Sequence, residues 1–244
     1  MPSHQIIMSV VLLLSAVVAF YILAFRVSWR KVFLHLLTPV VKRIPPYISP
    51  NHITAIGVVF PLAAGAFIYL AKYNYFYFLW AILFLFVWGV TDNLDGILAS
   101  ARNQATKRGA FLDYTLDKVV YLFLLFTLIL GDHVRAELVV ITMLFSLLYS
   151  LINMESQALT GRVFTLADRP RGLVLANILC LAFFLLKLFG ADVITLLNRR
   201  IKSMDVVFAI MPVYAAVLII IRSISLWKEL KEIDDRESHR SQIK

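Results

Sequence analysis

Apolar residues gather in long runs along the chain, and short polar, mostly basic stretches separate them. After a first run over residues 6–25 comes the stretch SWRKVFLHLLTPVVKRI, where the pattern changes. There Trp29, Val32, Phe33, Leu36, Leu37, Val40 and Val41 recur at helical spacing, and Lys31, His35, Thr38 and Lys42 take the opposite face. This predicts an amphipathic helix lying in the membrane interface, bent at Pro39 and ended by Pro45 and Pro46. Further runs predict membrane helices over about His52–Ala71, Phe76–Leu98, Gly109–Leu130, Glu137–Gln157, Leu173–Phe189 and Val206–Trp227. Their lengths are near the roughly 20 residues that cross a bilayer as a helix. Ser49 or Asn51 is placed to cap the first of them. Tyr73, Tyr75, Phe76, Tyr77 and Trp80 give the second an interfacial aromatic belt.

The predicted fold is an all-α integral membrane protein. A six-helix transmembrane bundle occupies residues 49–227, preceded by an extra N-terminal membrane helix (1–27) and the interfacial helix (28–48). A charged cytoplasmic tail (228–244) is expected to fray into disorder. A signal peptide is the competing reading of residues 6–25. No positive charge precedes that run, it is long for a signal, and Arg26, Arg30 and Lys31 follow it, so a retained helix with its N-terminus outside is expected.

Composition sharpens the class. The chain of 244 residues is 61% hydrophobic with a mean hydropathy of +0.82, whereas a soluble domain is apolar over about half its residues. The formal charge of +9 is spread over short loops between apolar runs. It points to anionic lipid head groups or phosphorylated substrates, and to no nucleic acid. Cys180 is the only cysteine, so an intrachain disulfide and a Cys/His zinc site are excluded. The basic group Arg199, Arg200 and Lys202 falls outside in this topology and runs against the positive-inside tendency.

The chemistry is concentrated between residues 92 and 117. Asp92 and Asp95 are three apart near the end of one predicted helix, and Asp113 and Asp117 are four apart near the start of the next. Each spacing puts two carboxylates on one helix face, and the short basic connection between the helices brings both pairs to one membrane face. An aspartate at membrane depth costs about 2.5–3.5 kcal/mol. Four together therefore demand either protonation or a hard divalent cation, which prefers oxygen ligands. A cation held by few carboxylates keeps positions for substrate phosphates, so the pattern points to a metal-dependent diphosphate site. Gly96 and Gly109 flank the pairs and leave room for a close approach. The later loop TGRVFTLADRPRG returns Arg162, Asp168, Arg169 and Arg171 to the same face. Guanidinium forks there suit phosphate; the cytoplasmic excess of Lys and Arg explains the same residues without a ligand. His133 falls on the opposite face, and Asn153, Glu155 and Gln157 read as solvated residues near a helix exit.

The spacing D-x2-D-G-x2-A-R-x8-G-x3-D-x3-D marks the CDP-alcohol phosphotransferases, membrane enzymes that make phospholipid head groups. The chain resembles that family at Asp92, Asp95, Gly96, Ala99, Gly109, Asp113 and Asp117, with every interval kept. It departs at Ser100, where the family has arginine; Arg102 lies two residues on as a substitute cation. P-N-x-x-T at Pro50–Thr54, followed by Gly57, is similar to the start of the family's first core helix, and the interfacial helix before it is also similar. A-D-R-P-R at 167–171 resembles the E-R-x-E-R stretch of members that use inositol phosphate, without its second acid. The resemblance covers residues 49–227. It implies that Asp92, Asp95, Asp113 and Asp117 bind two divalent ions, Mg2+ or Mn2+. Gly96, Ala99, Arg102 and Gly109 would then meet the nucleotide. Asp117 would take the proton of the acceptor hydroxyl, and Arg162, Arg169 and Arg171 would bind a phosphorylated acceptor. The implied donor is a CDP-linked lipid such as CDP-diacylglycerol, or a CDP-alcohol, and CMP is released. The active site would face the cytoplasm among membrane lipids, in a protein whose relatives are often homodimers.

Other readings stay open at this point. A membrane prenyltransferase also holds a diphosphate on Asp-rich helices, although its motifs fall on separated helices. An ion or proton transporter would spread polar residues over several depths, whereas these acids gather at one face. Ser100 keeps an inactive family member among the alternatives.

Overall fold

The computed structural model of the chain describes residues 29–160, 170–196 and 199–242. The membrane helix expected over residues 6–25 lies outside the described residues. The interfacial helix is found as α1, Trp29–Val41, with Pro39 inside it.

The expected first core helix is broken in two, α2 (Pro50–Gly57) and α3 (Val59–Leu70). Pro61 has no N–H, so the Gly57 carbonyl lacks its partner four residues on, and the ladder is interrupted at Val58. Ser49 caps α2: its Oγ accepts from the His52 N–H at 3.4 Å, and His52 Nδ1 accepts from the Ser49 N–H at 3.3 Å. This reciprocal pair, with Pro50 in the first helical position, fixes where the chain enters the membrane.

The next elements are α4 (Tyr77–Ala101), α5 (Lys107–Leu130), α6 (Ala136–Thr160) and α7 (Pro170–Leu188). Then come β1 (Val193–Leu196), β2 (Arg199–Lys202) and α8 (Ser203–Gln242). Three helix ends close in the same way. Asn103 (φ 54°), Asp132 (φ 53°) and Gly190 (φ 63°) take the left-handed region after α4, α5 and α7. The next N–H then reaches back over a full turn: Gln104 to Ala99, His133 to Leu128, Ala191 to Leu186. Pro50–Leu70, Tyr77–Ala101, Ala136–Thr160 and Ser203–Asp235 are long and apolar enough to cross a membrane. The protein is thus an all-α integral membrane protein, with one small hairpin.

One compact unit comprises, among the described residues, 29–134 and 170–204. Its central element is α4, which packs on α1, α2, α3 and α7, while α3 packs on α5. Phe78, Leu85 and Leu98 of α4 are fully buried. A Cβ at Gly65 would run into the Phe123 ring, so glycine there lets α3 and α5 approach closely. Phe86 of α4 and Phe126 of α5 are exposed, as side chains facing lipid would be.

The β1–β2 hairpin was not expected. It pairs Val193 with Lys202 through Leu196 with Arg199. It also accounts for a basic residue that ran against the topology. Lys202 Nζ lies 2.6 Å from both the Asp132 carboxylate and the Asp132 carbonyl oxygen.

The second unit comprises, among the described residues, 135–160 and 205–242, the helices α6 and α8. Asp205 Oδ1 accepts from the Arg135 N–H at 2.9 Å and closes the start of α6. Arg222 is 1% exposed, donates to Glu229 at 3.0 Å and donates to the Ser156 hydroxyl. A cation this deep requires such partners. The tail does not fray after Trp227 as expected; α8 continues to Gln242. Lys228 and Glu232, and Lys231 and Asp235, stand four apart, a spacing that supports a solvated helix.

Candidate metal and phosphate site

The turn between α4 and α5 assembles the site. Asn103 ends α4, and Thr106 starts α5 by accepting the Gly109 N–H on its hydroxyl at 3.0 Å. The reversal is tight enough that the last turns of α4 and the first turns of α5 share one cavity. Its walls include Thr54, Thr91, Asp92, Asp95, Asp113 and Asp117, with Trp88, Leu116 and Val120 among the apolar ones.

Asp92, Asp113 and Asp117 each offer a carboxylate oxygen, and these oxygens lie within 4.8 Å of one another. All three residues are half-buried. Asp95 lines the same cavity, is 7% exposed, and accepts a hydrogen bond from the Thr54 hydroxyl. Carboxylates brought this close repel one another unless a proton or a cation intervenes. The donor set is oxygen only, comes from two helices, and is held on folded backbone. It fits a hard divalent ion such as Mg2+ or Mn2+.

The flanking residues divide in role. A Cβ at Gly96 would meet nothing within 4 Å, so its face is open. A Cβ at Gly109 would sit 3.2 Å from Thr106 Oγ1 and 3.6 Å from Asn51 Oδ1, so the start of α5 lies close to α2 there. Ser49 does the capping that Asn51 was also placed to do. Ala99 is half-buried and Ser100 exposed on the last turn of α4. Arg102, the expected substitute cation, lies against backbone carbonyls. Its Nη1 donates to the Ile48 carbonyl at 2.7 Å, and its Nη2 donates to Ile44 at 2.6 Å and Pro45 at 3.2 Å. The reason is reach: the αL turn at Asn103 leaves Arg102 beneath the α1–α2 connection, whose carbonyls have no helical partners. Lys118 turns to the Tyr114 ring, 5.0 Å from its centroid.

Arg162 and Arg169 lie outside the described residues; Arg171 stands in the first turn of α7. His133, left out of the site by the sequence, is buried elsewhere. Its Nε2 is 2.7 Å from the Ile68 carbonyl, and its ring packs on Phe78 and Phe183. Sequence reasoning missed Thr54 and Thr91. The signal for Thr54 was present in P-N-x-x-T, but nothing local showed that its hydroxyl reaches a residue 41 positions away.

Fold and site together define a polytopic membrane protein with a carboxylate cluster of metal-binding geometry at one helix junction. The pattern of the CDP-alcohol phosphatidyltransferase family matches residues 47–220, and the chain belongs to that family. Among curated proteins, it is similar to an archaetidylinositol phosphate synthase of Pyrococcus horikoshii, 30% identical over 125 residues, 51% of this chain and 64% of that one. The inner membrane protein YnbA of Escherichia coli is 28% identical over 115 residues, 47% of this chain and 57% of its own length. An uncharacterized protein of Aquifex aeolicus is 37% identical over 84 residues, 34% of this chain and 40% of its own. The chain thus spans less than two thirds of each of these relatives.

Proposed function

We propose that the protein is a metal-dependent transferase of phospholipid biosynthesis. It moves a substituted phosphate, most simply the phosphatidyl group of CDP-diacylglycerol, to the hydroxyl of a small alcohol or phosphoalcohol and releases CMP. The observation that carries this reading is the convergence of Asp92, Asp113 and Asp117 within 4.8 Å, in a chain of this family.

Asp92, Asp113 and Asp117 hold a divalent ion, and Asp95 contributes from the same cavity to a set for two. Such ions, when bound, neutralise the charge of a diphosphate and of its leaving group. The remaining work belongs to the chain. Gly96 gives the nucleotide an open face, and Ala99 and Gly109 border it. Asp117 accepts the proton of the acceptor hydroxyl as that oxygen bonds to phosphorus. The phosphorus–oxygen bond to CMP breaks, and CMP leaves with the bonding pair. A base for this step has to lie within hydrogen-bond reach of the hydroxyl, and Asp117 borders the cavity where the acceptor would enter. Arg162, Arg169 and Arg171 supply forks for a phosphate on the acceptor. Arg102 is left out of the nucleotide site because its nitrogens serve backbone carbonyls. The basic residues Arg26, Arg30, Lys31, Lys107 and Arg108 support an active site on the cytoplasmic side.

The name of the Pyrococcus relative, an archaetidylinositol phosphate synthase, supports a phosphorylated polyol as acceptor. The test is to incubate purified protein in detergent with CDP-diacylglycerol, Mg2+ or Mn2+, and a panel of alcohols and phosphoalcohols, and to identify lipid products by mass spectrometry. A product with inositol phosphate or glycerol phosphate is expected. A product with unphosphorylated alcohols alone would remove the arginines from the acceptor site. No product with any acceptor, nor with CDP-choline or CDP-ethanolamine and diacylglycerol, would sink the transferase reading.

A further inference from the structure

We propose that Thr54 is a positioning residue for Asp95, so that α2 orients the fourth carboxylate of the cation site; the inference rests on the transferase reading above. Asp95 is 7% exposed, whereas Asp92, Asp113 and Asp117 are half-buried. A carboxylate that deep needs a donor to hold its charge. Thr54 provides one across the α2–α4 interface.

The behaviour of other threonines makes the contact informative. Thr115, Thr142 and Thr160 give their hydroxyl protons to the carbonyl four residues back, at 2.8 Å each. That is the ordinary choice for threonine inside a helix. Thr54 has the same carbonyl available, Pro50, but at 3.2 Å, and its closer acceptor is Asp95. A hydroxyl has one proton, and the bond to a carboxylate is the stronger of the two.

The helix spacing is built for this contact. Gly57, three residues after Thr54, faces Thr91, four residues before Asp95; a Cβ at Gly57 would lie 3.1 Å from Thr91 Oγ1. Gly57 against Thr91 and Thr54 against Asp95 are successive rungs between α2 and α4. The first sets how closely the helices approach, and the second uses that approach to fix the rotation of the carboxylate.

The test is Mn2+ binding to purified protein in detergent, read by electron paramagnetic resonance, beside the metal dependence of CMP release. Thr54→Val keeps the shape and removes the hydroxyl. It is expected to weaken Mn2+ binding by about 10- to 100-fold, the scale for losing an outer partner of a metal ligand. The metal concentration for half-maximal CMP release should rise with it, while the thermal midpoint without metal stays near wild type. Thr54→Ser should restore binding to within about threefold, because the donor is kept. Gly57→Ala should weaken binding and combine less than additively with Thr54→Val. Wild-type Mn2+ affinity in Thr54→Val, or equal losses in Val and Ser, would overturn the inference while leaving the transferase reading intact. Absence of Mn2+ binding by the wild-type protein would overturn the cation site itself and this inference with it.

Discussion

The two ends of α5 both carry acids and treat them in opposite ways. Beyond its C-terminus, Asp132 has a side chain 89% exposed and an ammonium 2.6 Å away on Lys202. That hydrogen bond holds the Asp132 carboxyl below the usual carboxylate range. Nearby, Lys187 reaches Asp192 at 3.2 Å. Each acid there meets a lysine, and the pairs fasten the hairpin and the turn. At the N-terminal end, Asp113 and Asp117 converge with Asp92, their oxygens within 4.8 Å of one another. An acid facing a lysine has its charge balanced within the fold. Acids whose oxygens converge form a set that one cation can bridge. That contrast separates a fastening from a site.

The largest effect is expected from exchanging roles across the helix. Asp113→Asn should lower CMP release by roughly 10²- to 10³-fold, the scale of losing one electrostatic stabiliser of a reacting group. Its thermal midpoint without metal should hold or rise, because a like-charge contact is relieved. A fall in both together would mean that Asp113 supports the fold rather than the site.

A smaller effect concerns His133, which lies beside Asp132. Burial pushes its pKa below the ordinary histidine value, outweighing the Ile68 carbonyl that accepts from Nε2. A histidine kept neutral by folding contributes stability that is complete above its unfolded pKa, about 6.5. The contribution is lost as pH falls through the folded value, because the unfolded chain then binds more protons. Thermal scans in detergent from neutral to mildly acidic pH should show the midpoint dropping by a few degrees, and His133→Gln should flatten that slope. An equal slope in the variant would mean that another group carries the pH dependence.

The smallest effect is expected from Asp132→Asn. An exposed ion pair is worth about 0–1 kcal/mol, so the thermal midpoint should move little and CMP release should match wild type. Loss of activity in Asp132→Asn would blur the distinction between the two ends.

Much of this fold and site is legible in the amino-acid sequence. Apolar runs mark α4 through α7 and the start of α8 to within a few residues, because in lipid a backbone that satisfies its own hydrogen bonds within one segment is helical. The aspartate spacing marks the pairs, because i, i+3 and i, i+4 geometry is fixed within a helix. What is not legible depends on partners far along the chain. Arg102 looks like a phosphate ligand, yet it serves carbonyls 54 to 58 residues earlier. Thr54 and Asp95 meet across 41 residues. Other misses have local signals that are easy to underweight. Pro61 removes the N–H that Gly57 needs, which is why the first core helix breaks at Val58. The charge pairs after Trp227 favour continued helix over fraying. The β1–β2 hairpin carries only weak alternation, and its formation draws on Lys202 reaching Asp132 from 70 residues away.

The most direct test of the central claim is CMP release from CDP-diacylglycerol by the purified protein, with and without a chelator, beside Asp117→Asn. Release is expected to require Mg2+ or Mn2+ with a phosphoalcohol present and to be lost in Asp117→Asn. Release that persists in chelator, or that Asp117→Asn performs as well as wild type, would contradict it.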